Sequence, residues 1–264
     1  MLNKYKIILG CVLFNLILEY WVHGIPNFFI IFPSLFLLYV TYFFMLEDLI
    51  LRYHLKDYQV LLIGFVFGVY TEIFSTGSIF GSGYFFGIDP FYFFLSTIGW
   101  WGLIQSVLTM NFANRFIAIR DWTEEPSGKL LWILAVGWHV FMFLGFLSEQ
   151  MELKIPPLIN LAGQNLPKRT LMGYITSAII LIIVLTLYFI IQKIRGEKSS
   201  AVIPIFEKSK FLDVLTIGSI IISLVLGTTL FGSELSRVLF VYYSIIIGII
   251  FIIYRLNTKK GVCV

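Results

Sequence analysis

Apolar residues run through this chain in long blocks separated by short polar breaks, and nowhere do they alternate with polar residues at a period of two. Eight blocks stand out, at about 5–22, 27–47, 58–79, 91–113, 130–148, 170–192, 211–231 and 235–254. Each lies near the ~20 residues that a helix needs to cross the hydrocarbon of a bilayer. Backbone polar groups in lipid must be satisfied within the spanning structure, and Leu/Ile/Phe blocks without alternation favour helices over a barrel. The pattern therefore predicts an all-α polytopic integral membrane protein, a bundle of about eight transmembrane helices. Its longest polar breaks fall at 114–129, 149–169 and 193–210, too short for a second domain, so residues 1–264 read as a single transmembrane helical domain. Within the second break, Pro156-Pro157 precedes Leu158, Ile159, Leu161 and Leu166, which suits either a short amphipathic piece at the interface or a plain surface loop. The first block follows Lys4 and Lys6, and no small-residue cleavage site follows Glu19, Tyr20 and Trp21, so it reads as a retained first helix.

Composition strengthens the membrane reading. The chain is 59% hydrophobic and only 13% charged, with a mean hydropathy of +0.91, well beyond the roughly half-apolar, quarter-charged average of soluble domains. The net charge of +4 is spread over short loops and forms no run that would track a phosphate backbone, so nucleic acid is not an expected partner. Membrane lipids are. With the N-terminus cytoplasmic, all of the 19 Lys and Arg except Lys154, Lys168, Arg169 and Arg237 fall in inside segments, which the positive-inside rule requires. Both termini are then cytoplasmic. Without an N-x-S/T sequon, a prokaryotic plasma membrane is the expected location.

Against this apolar background a few polar side chains carry the candidate chemistry. Glu72 follows the apolar or small stretch Val60 to Thr71, and a carboxylate at such depth costs several kcal/mol unless it is partnered, wet or protonated. Counting about 1.5 Å per residue from the cytoplasmic ends, Glu19 and Glu72 lie at similar depth, where they could share a proton or a cation. Glu19 also suits an ordinary interfacial belt beside Tyr20, Trp21 and His23. His139 falls near mid-membrane, where it could relay protons or simply tie helices together. The catalytic candidates are Glu72, Glu19 and His139, and the candidate substrate-binding residues are Tyr84, Trp100, Trp101 and Gln105.

Other features are read as packing. Gly64/Gly68 and Gly77/Gly81 are small-xxx-small pairs, and Thr216, Ser219, Ser223 and Gly227 form a small-residue stripe at helical spacing. The sixth and eighth blocks are nearly uniformly aliphatic and aromatic, as expected of helices facing lipid. Asn114-Arg115 with Arg120, Asp121, Glu124 and Glu125 reads as a solvated cytoplasmic turn. Only His23, His54 and His139 are present, with no HExxH and no GxSxG, and Cys11 and Cys263 suggest neither a disulfide framework nor a redox pair. No metal or other cofactor is expected.

Glu72-Ile73-Phe74, then Thr76-Gly77, Phe80-Gly81, Tyr84 and Trp100, resembles the first motif of the membrane carotenoid hydratase family, where a buried acid precedes TG and FG pairs and a tyrosine. The likeness needs a two-residue gap and runs only from Glu72 to Trp100; the Asp-Pro segment and later Gly-Trp of that family have no counterpart, since Asp89-Pro90 comes too early. It implies an isoprenoid substrate whose cationic chemistry a protonated Glu72 with aromatic walls would suit. Three functions are thus expected in this order: an enzyme acting on a lipid or isoprenoid by carboxylate acid/base chemistry, a small proton-coupled transporter, and a non-catalytic membrane subunit or scaffold.

Overall fold

The computed structural model describes residues 2–73, 85–150, 171–195, 210–229, 239, 242–250 and 253. Among them the protein is all-helical, without a strand. The helices are α1 (Asn3–Tyr53), α2 (Asp57–Thr71), α3 (Pro90–Ile117), α4 (Lys129–Gln150), α5 (Leu171–Arg195) and α6 (Lys210–Thr229), followed by helical residues 242–250. Three segments, Phe28–Tyr53, Pro90–Ile117 and Met172–Ile190, are long and apolar enough to cross a membrane. The rest of the third block (74–79), the polar break from 151 to 169, the ends of the eighth block and Tyr84, Gly77, Gly81 and Cys263 lie outside the described residues.

The backbone is helical from Asn3 to Tyr53, yet α1 is not a straight rod, and Pro26 and Pro33 interrupt its hydrogen bonding because they have no N–H. Glu19 and Tyr39 hydrogen-bond across 20 positions, a separation of about 30 Å along a straight helix. At the far end the backbone N–H groups of Asn3 and Lys4 donate to Glu124 while Glu47 pairs with Arg120, so residues 3–4 and 47 meet one short segment. The chain must therefore reverse between Tyr20 and Phe28, whose rings touch at 5.7 Å between centroids. Two arms result, matching the first two apolar blocks. His54 closes the second arm in the left-handed conformation, with φ 47°.

Local chemistry sets the other boundaries. Gln59 accepts the Lys56 N–H at 2.8 Å at the start of α2, and Asp89 accepts the Tyr92 N–H at 3.0 Å just before Pro90 in the first turn of α3. α3 is wound wide from Leu95 to Leu108, with backbone bonds reaching five residues rather than four. Hydroxyls follow the same reach: Ser106 Oγ donates to the Trp101 carbonyl and Thr109 Oγ1 to the Ile104 carbonyl. Runs of this kind usually last a single turn and often mark working parts of a protein.

α3 is the centre of the bundle. Gly64 and Gly68 bring α2 against it, because a Cβ at Gly64 would lie 2.6 Å from the Trp101 carbonyl oxygen and one at Gly68 2.6 Å from Trp101 Cβ. The two arms of α1 cover the rest of α3 with Phe14, Leu18, Tyr39, Phe43, Leu46 and Ile50. On α6, Thr216, Ser219 and Ser223 are buried and Gly227 backs onto the Tyr20 ring. α5 touches the bundle at few points, including Thr176 with the Phe86 carbonyl and Tyr188 with Gln59, and turns most of its aliphatic side chains outward.

Candidate functional site

The wide winding of α3 lines up Ser96, Trp101, Gln105, Ser106 and Thr109 along its length, and all five are buried. Polar groups removed from water cost free energy unless they find partners, so each is met from a facing helix. The resulting polar seam has three nodes.

The first node belongs to Glu72, where α2 opens into a wide turn at Glu72–Ile73. Its Oε1 accepts from Ser96 Oγ and, at 3.3 Å, from Trp101 Nε1. The side chain is 4% exposed, so the acid points into protein.

The second node gathers around Glu19. Tyr39 OH and Gln105 Nε2 (2.9 Å) both donate to Glu19 Oε1, Gln105 Nε2 also reaches Tyr39 OH at 2.6 Å, and His23 Nε2 lies 3.1 Å from Glu19 Oε2. One turn along the same pair of helices, Asn15 Nδ2 donates to Thr109 Oγ1 at 3.0 Å and to the Cys11 carbonyl at 2.9 Å. Tyr42 and Ser106 share a further short hydrogen bond. Glu19 thus acquires its donors inside the bundle, where it is 6% exposed.

Between these nodes stands Trp101. Its indole donates to Glu72 while its ring lies 6.2 Å from Tyr39 and 5.3 Å from Phe67. The two acids therefore hold separate donor sets, with Trp101 bonded to one acid and its ring near Tyr39, a partner of the other. On the other side of the second node, Cys11 and Met110 form a sulfur layer, 3.7 Å apart.

The third node lies beyond that layer. Arg120 grips Glu47 through two bonds, Nε to Oε1 at 2.8 Å and Nη2 to Oε2 at 2.5 Å, and both side chains are almost wholly buried. A planar guanidinium facing a carboxylate in this way is the strongest side-chain pairing available. Neighbouring Asp48 accepts from Ser127 N–H, Trp132 Nε1 and Arg52, and Lys4 Nζ donates to the Glu125 carbonyl at 2.6 Å. The segment expected to be a solvated turn is therefore strapped onto the end of the bundle. Much of it is nonetheless exposed, Arg115, Asp121 and Glu125 included, and two hydrogen bonds from Thr123 hold the Asp121 carboxyl below the usual carboxylate range.

The remaining candidates sit apart. His139 on α4 lies beside the second arm of α1, its Nε2 3.1 Å from Thr41 Oγ1 and its ring against Phe67 and Tyr70. It touches neither acid. Trp100 is buried in the apolar core. Among the described residues no three His, Cys, Asp or Glu side chains converge as a metal site would require.

Sequence reasoning missed Asn15, Tyr39, Ser96, Thr109 and the Glu47–Arg120 pair. Asn15 carried a usable signal, since an amide alone in an apolar block must be partnered; Tyr39 is one aromatic among many and carried none. No family model, curated protein or solved structure matches this chain.

Proposed function

We propose that this chain is a multi-pass integral membrane protein that moves a proton or small cation across its bundle, with Glu72 and Glu19 as the groups that take up and release it. The eight-span arrangement with cytoplasmic termini in a prokaryotic plasma membrane belongs to this proposal. One observation carries it: two buried acids and their hydrogen-bonding partners line a single seam down α3, divided by the Trp101 ring and the Cys11–Met110 layer. Ionisable groups inside a membrane are expensive and mark ion paths, and seams interrupted by apolar layers permit access from one side at a time. Gln105 and Trp101, expected to contact a substrate, instead spend their polar N–H groups on the two acids. That commitment favours ion movement over a lipid-binding pocket.

A second reading, the lipid- or isoprenoid-modifying enzyme, draws support from the aromatic surroundings of Glu72 and the wide turn that carries it. The test that separates them uses the purified full-length protein in liposomes carrying a trapped pH dye, with an imposed membrane potential. Ion movement predicts internal acidification that Glu19→Gln and Glu72→Gln each abolish. Absence of any flux from correctly inserted wild-type protein, with potential or with a sodium gradient, overturns it and leaves the enzyme reading standing.

A further inference from the structure

Residues 118–128, between α3 and α4, are fastened to the bundle mainly by polar contacts. The segment leaves α3 at Ala118 in extended backbone and runs to Gly128, where an added Cβ would meet nothing within 4 Å. Of these residues only Arg120 and Ser127 are buried, and the two large apolar side chains, Ile119 and Trp122, are exposed. Both arms of α1 supply the fastenings. Glu124 accepts the N–H groups of Asn3 at 2.6 Å and Lys4 at 2.9 Å, and Lys4 Nζ donates to the Glu125 carbonyl at 2.6 Å. Asn3 Nδ2 reaches the Ile119 carbonyl at 3.2 Å, and the Ser127 N–H bonds to Asp48. Arg120 enters deepest, onto Glu47.

Arg120 also terminates the polar seam of α3. Contacts pass along it in sequence: Asn15 bonds to Thr109 and to the Cys11 carbonyl, Cys11 Sγ lies 3.7 Å from Met110 Sδ, and Met110 Sδ lies 3.8 Å from Arg120 Nη2. While Arg120 is seated, Glu47 is occupied and the sulfur layer is covered. Two physical terms make this seat a weak one. A segment with little buried apolar surface opens at a free energy below that of global unfolding. Removing two charges from water costs about as much as their attraction returns, and when the segment lifts, both charges regain water together, so neither is left buried alone.

We propose that residues 118–128 form a strap that gates this end of the seam. The structure holds it closed, with Arg120 on Glu47; it opens when Arg120 withdraws and water reaches Met110 and Cys11. A plug of packed apolar side chains would shut the seam more firmly, since replacing a buried ion pair by hydrophobic residues of similar volume is often neutral or stabilising. The ion pair instead gives the strap one defined seat that it can leave. The inference deepens the ion-moving reading by naming the gate at one end of the path, and rests on it for that role; lifting of the strap is measurable without transport.

Cys11 lies behind the plug and reports on it. The test uses detergent-solubilised full-length protein carrying Cys263→Ser, which leaves Cys11 as the one thiol, and follows its modification by a charged maleimide with mass spectrometry. Slow labelling is expected without denaturant. Glu124→Gln, which weakens the fastening to Asn3 and Lys4, should speed it by about tenfold or more, the worth of one hydrogen bond to a charged group. Glu47→Met/Arg120→Met, which replaces the ion pair by an apolar plug, should slow it by a similar factor. Gly227→Ala on α6 lowers stability away from the strap by pressing on the Tyr20 ring, and should leave the rate unchanged. Equal acceleration by Gly227→Ala, or wild-type labelling only at denaturant concentrations that unfold the protein, would overturn the gate, because Cys11 would then be reached by global unfolding alone. If the strap lifts but liposomes show no flux, the gate stands as a local opening and the transport reading falls. If ions move through liposomes while Cys11 stays unlabelled, the gate falls and the transport reading stands.

Discussion

Two helices of the same protein, Pro90–Ile117 and Met172–Ile190, are both long and apolar enough to cross a membrane, yet in the apolar 18-residue stretch of each, 67% of the first is buried within the bundle against 11% of the second. The first carries Ser96, Gln105, Ser106 and Thr109 and has every one of them partnered from a neighbouring helix. The second has Ile179, Ile182, Ile183, Leu187 and Phe189 pointing outward. In water the more apolar helix would be the core. In lipid, where aliphatic side chains lose nothing by staying outside, the polar helix goes to the middle, because only there can its groups find partners. Between these two helices burial follows polarity and not hydrophobicity, the order expected of a bundle whose solvent is lipid.

The comparison can be broken by substitution, and the largest effect is expected at the third node. Arg120→Met leaves Glu47 buried without its partner, which costs about 3–5 kcal/mol in systems of this kind. The double variant Glu47→Met/Arg120→Met should regain most of that loss in a denaturant titration. Failure of the second change to rescue the first would mean that the pair is not buried as a unit. Next, Ile104→Ala at the centre of α3, where the side chain is wholly buried, should cost about 2–4 kcal/mol by the loss of packed methylenes. Gly68→Leu should cost about 1–3 kcal/mol, since the added side chain meets Trp101 and forces α2 off α3. Smallest of all, Ile182→Ala on the outward face of α5 should change stability in detergent by less than about 0.5 kcal/mol. If Ile182→Ala proved as damaging as Ile104→Ala, α5 would be covered by something, and the contrast between the two helices would fail.

How much of this could be read from the chain depends on which physical term each feature obeys. Helix class and the positions of the apolar blocks follow from solvent alone, and the reversal between Tyr20 and Phe28 falls in the break between the first two blocks. Gly64, Gly68 and the stripe on α6 were legible because small residues at helical spacing have one common use. Glu72 was legible as a buried acid because the lipid penalty singles out charge, whereas Glu19, beside Tyr20, Trp21 and His23, also suited an interfacial belt. Their partners were not, since Tyr39 and Ser96 lie 20 and 24 positions from the acids they serve and nothing local marks the pairing. The turn after α3 was legible in part for a related reason: Arg115, Asp121 and Glu125 are exposed as mixed charges suggest, and only the distant Glu47 shows that Arg120 is buried. His139 was a candidate only as an ionisable side chain within a span, which says nothing about its neighbours; it lies against Thr41, Phe67 and Tyr70.

The claim on which the rest depends is that Glu19 and Gln105 act together inside the bundle. A double-mutant cycle on the unfolding free energy, using Glu19→Gln, Gln105→Leu and the pair, tests it without assuming any function. A coupling of about 1 kcal/mol or more is expected for hydrogen-bonded neighbours in one network. Additive effects of the two substitutions, with no coupling, would contradict the account.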